Sequence, residues 1–389
     1  MDYLDPDPFS VSSHGHSLTF YPCGKDRLRA LLDIIGAAEK SLRAFYYIFT
    51  DDSVGERVRD ALAGAARRGV EVRLIVDGFG TSAPGEFFQP VVAAGGSFAV
   101  FNARPSVRYL IRNHQKMVIA DDRIALIGGF NVSEQYFAPP SQNGWHDLGL
   151  ELQGPVVIRF SAWFDLLAGW THDQRARFGD VRRLVREWMP GDGPVRLLIG
   201  GPTRVPNSMA STIRRDLARA ARLDLVMAYF SPPLSIRALI RRIARKGSAR
   251  LIMASKSDNG ATIGAARSLY IKLLKAGAEI YEFLPCKLHT KLLVIDDVVY
   301  VGSANFDMRS LRLNLEMMLR VEDAALAERV RTMIDGMAGA SEHVTLARHL
   351  ARRGWWNALR WRLSFLLVGV LDYTITRRLN LGLNAGEEL

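Results

Sequence analysis

An α/β protein built from two copies of one unit is what this sequence predicts, and three observations carry the prediction. Stretches with helical and with strand-like hydrophobic period alternate along the chain. The same order of elements returns in the second half. One short signature, His-x-Lys, occurs once in each half: Asn113-His-Gln-Lys-Met-Val-Ile-Ala-Asp121 and Lys287-Leu-His-Thr-Lys-Leu-Leu-Val-Ile-Asp296.

Residues Leu28, Leu31, Leu32, Ile35 and Ala38 predict a helix that runs into a strand from Leu42 to Phe49. Thr50-Asp-Asp-Ser is a turn and a helix N-cap, Val54 to Arg68 is a second helix stopped by Gly69, and Val70 to Val76 alternates as a strand. A further helix ends with Pro90 to Ala94 before Gly95-Gly96, and Phe98 to Phe101 reads as a strand. In the second copy the helix is Ser208 to Ala221 and the strand Leu223 to Phe230. Helix Leu234 to Lys246 follows, stopped by Gly247, then strand Ala249 to Ala254, a helical Ile271 to Lys275 and a strand Ile280 to Leu284 leading to His289. Leu42 and Leu223, Gly69 and Gly247, and His114 and His289 lie 181, 178 and 175 residues apart. So constant a lag marks an internal duplication whose copies are domains, each a sheet covered by helices.

The expected divisions are 1–185, 186–345 and 346–389, with the first boundary in the Arg-rich stretch Thr171 to Arg186 or at Pro190-Gly-Asp-Gly-Pro194. At 389 residues and 48% hydrophobic composition the chain can bury a large core. A net charge of +11 calls for an anionic partner, whether nucleic acid, a phosphorylated small molecule or an acidic membrane surface. Cys23 and Cys286 are too few for a disulfide framework and lack metal-ligand spacing. The acidic, proline-bearing start carries no secretion signal, and no window is apolar for long enough to span a bilayer. The last segment interleaves Arg348, Arg352, Arg353, Arg360 and Arg362 with Trp355, Trp356 and Trp361 before the apolar run Leu363 to Leu371, then Arg377 and Arg378. That composition suits the headgroup boundary of a membrane; a C-terminal helix docked on the protein's own core is the competing expectation.

Read as a strand, the second signature puts His289 and Lys291 on one face, an imidazole beside a fixed cation. Each copy continues with an aspartate, Asp121 or Asp296, and then a glycine turn with asparagine: Gly128-Gly-Phe-Asn131 and Gly302-Ser-Ala-Asn305. The twofold occurrence of this pattern resembles the phospholipase D superfamily over roughly residues 20 to 335. The flanks Tyr46-Tyr-Ile-Phe, Arg112-Asn-His-Gln-Lys and Gly302-Ser-Ala-Asn-Phe-Asp307, with Asn314 and Glu316, are most similar to its bacterial cardiolipin synthase branch. The resemblance implies two pseudo-twofold-related domains, each a mixed sheet with helices, and one active site at their interface.

Metal-free phosphodiester cleavage needs a nucleophile, an acid for the leaving oxygen and cations around the phosphate. The resemblance makes His114 the nucleophile and His289 the acid and base, with Lys116, Lys291, Asn131, Asn305 and Ser303 holding phosphate. Asp147, in Trp145-His-Asp147, and Glu316 are the carboxylates expected to fix imidazole tautomers. Asp121 and Asp296 complete the catalytic set in sequence, although the family points to a bracing role in the fold. The expected reaction moves a phosphatidyl group from phosphatidylglycerol, through a phosphohistidine, to a second lipid hydroxyl. It requires no cofactor and no metal, and takes place at the cytoplasmic face of the cell membrane with peripheral attachment and no nucleic-acid partner. Phospholipase D hydrolysis, a nuclease of the same superfamily and a non-catalytic membrane-binding protein are the alternatives.

Three departures from the family pattern stand out: Gly129 where the second copy has Ser303, His146 where the branch often has arginine, and an extra residue between Asp121 and Gly128 that predicts a bulge. Arg104 to Arg112 mixes cations with apolar residues and is expected as a lipid rim or a plain loop. Met317 and Met318 are expected in the core.

Overall fold

The structure, a computed structural model, describes residues 3–101, 112–173, 175–203, 205–257 and 259–371. The stretch from Arg104 up to residue 111, and Arg377 and Arg378, lie outside the described residues.

The first half supplies strands β1 (Phe9–Ser13), β2 (His16–Tyr21), β3 (Ser41–Tyr46), β4 (Glu71–Asp77), β5 (Ser97–Phe101), β6 (Met117–Ala120), β7 (Ile124–Gly128), β8 (Trp145–His146) and β9 (Gly149–Gln153). The second supplies β10 (Val195–Gly200), β11 (Arg222–Met227), β12 (Phe230–Ser231), β13 (Ser248–Ala254), β14 (Glu279–Phe283), β15 (Lys287–Leu288), β16 (Lys291–Ile295), β17 (Val298–Gly302), β18 (Phe306–Asp307), β19 (Glu316–Glu322) and β20 (Ser341–His343). Among the described residues these form two large mixed sheets, ordered β1-β2-β9-β7-β6-β3-β4-β5 and β10-β19-β17-β16-β11-β13-β14-β20. Without the edge strands β1 and β20, the two orders correspond strand for strand. This is the α/β duplication that the lag predicts.

The sequence period explains how each sheet is buried. In β6, Met117 and Ile119 join one cluster while Val118 and Ala120 join another; in β16, Leu292 and Val294 part from Leu293 and Ile295 in the same way. The outer faces are covered by Gly24–Ala37 and Ser53–Arg67 in the first half, and by Ser208–Arg219, Leu234–Lys246 and Gly260–Leu274 in the second. The inner faces share one core. Phe160, Trp163 and Phe164 of helix Val157–His172 and Leu326, Val330 and Ile334 of helix Ala324–Gly339 lie in a single cluster with strands of both sheets. A fully buried side chain of this size contributes roughly 1.5–3 kcal/mol, so the two halves are held together by ordinary core packing.

Two local expectations need correction. The stretch from Lys287 to Asp296 is two strands with His289 and Thr290 in the gap, because β15 pairs with β8 of the first half whereas β16 pairs with β11 of its own sheet. The extra residue after Asp121 makes no bulge. It lengthens the hairpin turn, since Ala120 pairs with Ile124 across three residues and Ile295 with Val298 across two.

Helices Leu346–Arg353 and Trp355–Phe365 follow the second sheet, and the latter docks on Gly260–Leu274 with Trp361 and Ser364 buried. No helix among the described residues is long and apolar enough to cross a membrane.

Candidate active site

Each histidine sits where its chain leaves one sheet for the other. The amides of His289 and Thr290 both donate to the His146 carbonyl, at 2.8 and 3.1 Å, so the second signature is anchored on the first half. Symmetrically, the His114 amide donates to the Leu315 carbonyl at 2.8 Å and the Leu315 amide to the Arg112 carbonyl at 2.9 Å. The residue after each anchor carries a carboxylate, and the pairing is therefore crossed: Asp147 faces His289 and Glu316 faces His114.

His289 Nδ1 lies 2.6 Å from Asp147 Oδ2, and His114 Nδ1 lies 3.2 Å from Glu316 Oε2. A neutral imidazole donating from Nδ1 to a carboxylate keeps the Nε2 lone pair for chemistry. Burial, then the charge of Lys116, pushes His114 down to about 4 against the pull of Glu316. Burial, then Lys291, pushes His289 down to about 3 against Asp147. The lysines also act across the seam, Lys291 on His114 and Lys116 on His289, so both halves meet at one site. Burial works to raise both carboxyls, but the facing imidazoles and lysines outweigh it and hold Asp147 and Glu316 below their ordinary range. Aromatic edges fix the rings: Tyr47 lies 4.9 Å from His114, and Tyr136 and Trp145 lie 5.1 and 4.9 Å from His289.

Lys116 and Lys291 are both buried, and each Nζ donates to the carbonyl of its own histidine. Asn131 accepts from the Ile48 amide at 3.0 Å while its Nδ2 is buried with no partner among the described residues. Asn305 likewise has one buried, unsatisfied amide atom, Oδ1, and a half-turn of the amide would put a donor there. Buried polar atoms without partners are uncommon, and two at paired positions fit a ligand with several acceptor oxygens. Among the described residues no group of three or more His, Cys, Asp or Glu is placed to hold a metal ion.

A family model described as Cardiolipin synthase, PLD-like domain matches residues 31–166 and 213–338. The chain belongs to that family. It is 29% identical to the major cardiolipin synthase of Bacillus subtilis over 376 residues, 93% of this chain and 77% of that protein. Cardiolipin synthase B of Escherichia coli K12 is 28% identical over 363 residues, covering 90% and 87%. Among solved structures, the phosphatidylserine synthase of Haemophilus influenzae shares 13% identity with a TM-score of 0.71 over 96% of this chain and 98% of that one. At that identity the likeness concerns the fold alone. The chain is an enzyme of the phospholipase D superfamily.

Several residues of this phospholipase D-like site have their polar groups committed within the protein. The Ser303 hydroxyl donates to Glu316 Oε2 at 2.5 Å, so its proton is committed to a carboxylate and not to phosphate. Asp121 and Asp296 sit at the far ends of β6 and β16 in left-handed conformation and accept backbone amides: Lys40 and Ser41 at 2.7 and 2.8 Å, and Ala221 and Arg222 at 3.0 and 2.8 Å. Their work is to brace strand starts. His146 makes no opening toward a headgroup; it is buried, with Nδ1 2.9 Å from the Thr290 hydroxyl and Nε2 3.0 Å from that of Tyr3.

The middle residues of the two signatures were missed altogether. Gln115 Nε2 donates to the Glu316 carbonyl at 3.1 Å, and Thr290 Oγ1 donates to the His146 carbonyl at 3.2 Å, so both grip the opposite half beside its carboxylate. Arg27 was also missed. Fully buried, it donates to the carbonyls of Asp147 at 2.5 Å and Tyr136 at 2.8 Å and thereby sets the loop that carries Asp147. An arginine on the same helix face as Leu31 and Ile34, four and seven residues on, is the signal that would have found it. Asp77 is buried at the end of β4 and pins the Asn113 amide at 2.8 Å, next to His114.

Proposed function

We propose that this enzyme is a cardiolipin synthase-type phosphatidyltransferase with phosphatidylglycerol as donor and acceptor. The observation that carries the reading is the crossed pair of imidazole–carboxylate contacts beside two lysines and two unsatisfied amides, together with family membership. His114 Nε2 attacks the phosphorus of one phosphatidylglycerol; the bond from phosphorus to the glycerol headgroup breaks, and His289 gives the departing oxygen its proton. His289 then takes the proton from a hydroxyl of a second phosphatidylglycerol, whose oxygen attacks phosphorus as the bond to His114 breaks. Cardiolipin and glycerol are the products. Lys116, Lys291, Asn131 and Asn305 hold the phosphate oxygens throughout.

The division of labour follows from the carboxylates. Asp147 stands closer to its imidazole than Glu316, and Glu316 shares its charge with the Ser303 hydroxyl. In the free site both imidazoles are held neutral, His289 further down than His114. His289 therefore takes up the proton it donates once the bound phosphate anion offsets Lys291, and Asp147, the closer carboxylate, then supports the imidazolium.

Attachment to the membrane surface is assigned to the C-terminal helix. With Trp361 and Ser364 turned inward, Trp355, Trp356, Leu359 and Leu363 stay exposed, the two tryptophans by 69% and 67%, beside Arg360 and Arg362. Such a face seats in the headgroup layer without spanning it, as peripheral attachment at the cytoplasmic leaflet requires.

The test is product analysis. Purified protein on phosphatidylglycerol vesicles should form cardiolipin and glycerol in equal amounts, and His114→Ala and His289→Ala should each abolish turnover. Phosphatidic acid as the main product would make water the acceptor and overturn the transferase reading.

A further inference from the structure

His146 stands where its branch often has arginine, and it brings a property arginine lacks: a neutral imidazole carries its one proton on either of two nitrogens. The ring is buried, and burial outweighs the nearby Asp5 charge to hold it below its ordinary pKa, so it is neutral at pH 7. Which nitrogen bears the proton matters to the reactive centre. The His146 carbonyl accepts the amides of His289 and Thr290, and the next residue, Asp147, lies 2.6 Å from His289 Nδ1.

Both ring nitrogens have polar neighbours. Nδ1 lies 2.9 Å from Thr290 Oγ1, which itself lies 3.2 Å from the His146 carbonyl oxygen. Nε2 lies 3.0 Å from the Tyr3 hydroxyl, and Asp5 Oδ1 stands at 3.4 Å, buried without a hydrogen-bond partner among the described residues. The Tyr3 ring meets Phe283 edge-on at 5.2 Å, and Phe283 lies 5.1 Å from the His146 ring. Packing of three rings thus aims the hydroxyl at the seam where β8 pairs with β15.

Hydrogen bonding separates the two tautomers. With the proton on Nδ1, the ring donates to Thr290 Oγ1, the Thr290 hydroxyl donates to the His146 carbonyl, and the Tyr3 hydroxyl donates to Nε2, so every proton is used. With the proton on Nε2, the Thr290 hydroxyl is drawn to Nδ1 and leaves the carbonyl, and the Tyr3 proton has no other acceptor among the described residues. The phenol keeps that proton, since burial and then the Asp5 charge push its pKa up. Asp5 pulls the other way, because a carboxylate beside Nε2 favours a proton there. The Tyr3 hydroxyl is therefore what decides between them.

We infer that Tyr3 is a positioning residue of the histidine site: by donating to His146 Nε2 it keeps the proton on Nδ1, which frees the Thr290 hydroxyl to hold the His146 carbonyl and with it the Asp147–His289 pair. The effect on rate rests on the part proposed above for His289; the tautomer does not.

The experiment is NMR on the full-length chain with 15N-labelled histidine, in which the ring signals missing from His146→Gln belong to His146. The unsubstituted protein should show a protonated Nδ1 and a bare Nε2. Tyr3→Phe keeps the ring against Phe283 and removes the hydroxyl; the proton should move to Nε2, and kcat for glycerol release from phosphatidylglycerol vesicles should fall by about tenfold with KM little changed. Adding Asp5→Asn to that variant places an amide donor beside Nε2 and should return both the Nδ1 proton and most of the rate. A proton on Nε2 in the unsubstituted protein, a Tyr3→Phe variant that keeps its tautomer or its rate, or a rate loss that Asp5→Asn does not mend would each overturn the assignment. Glycerol release counts transfer and hydrolysis alike, so failure of the transferase reading leaves this test standing.

Discussion

Gly129 and Ser303 occupy equivalent places in the two copies, yet the protein treats them in opposite ways. A Cβ on Gly129 would stand 2.6 and 2.8 Å from the Asp147 oxygens and 2.9 Å from Lys291 Cδ, so glycine is what leaves room for the short aspartate against His289. Glu316 is one methylene longer, and the Ser303 hydroxyl fills the matching space by donating to it. Gly129→Ala should therefore cut kcat by about a hundredfold or more, through displacement of Asp147, with a modest loss of stability of about 1–3 kcal/mol. Ser303→Ala removes one charge-assisted hydrogen bond and should cost about tenfold. Steady-state kinetics beside thermal melts will show the order; a milder effect at Gly129 than at Ser303 would contradict this account.

At the scale of the elements, the interruption between β15 and β16 matters most. Two residues, His289 and Thr290, carry the chain from the opposite half's β8 to its own sheet, and the Thr290 hydroxyl holds both the His146 carbonyl and the His146 ring. Thr290→Val keeps the shape and removes those hydrogen bonds. Cardiolipin formation should fall by about ten- to a hundredfold through kcat with little change in KM, because the change misplaces Asp147 and His289 without touching lipid. Thr290→Ser should recover most of the rate. An unchanged rate in Thr290→Val, no recovery in Thr290→Ser or a pure KM effect would assign Thr290 a different part.

Across the whole molecule, the buried charges make stability depend on pH. The two active-site imidazoles have folded values of about 4 and 3, below the ordinary 6.5. The unfolded chain therefore takes up their protons first, and the stability they leave intact above pH 6.5 declines as the pH falls toward 4. Asp77 and Asp307, raised by burial to about 6, act in the opposite sense: the stability they add in acid is lost as the pH rises through 6. Denaturant midpoints between pH 4 and 7 should accordingly show the double variant His114→Asn, His289→Asn losing less stability on acidification than the parent. Parallel curves for the two proteins would show that these histidines are not held neutral by the fold.

How much of this was legible in the chain follows from what local chemistry encodes. Hydrophobic period, capping residues and the near-constant lag between Leu42 and Leu223, Gly69 and Gly247, and His114 and His289 predict two α/β copies, because these signals act within a turn or a strand. The repeated His-x-Lys pattern likewise singled out both imidazoles and both lysines. Which carboxylate serves which histidine could not be read, since Asp147 and His289 are 142 residues apart and Glu316 and His114 are 202 apart. Nor could the use of Gln115, Thr290 and Arg27, whose partners are backbone carbonyls with no residue identity to recognise. The sequence by itself determined the two units and the reactive groups each carries; the crossed assembly was decided only when both sheets closed on one shared core, because that packing selects which distant groups become neighbours.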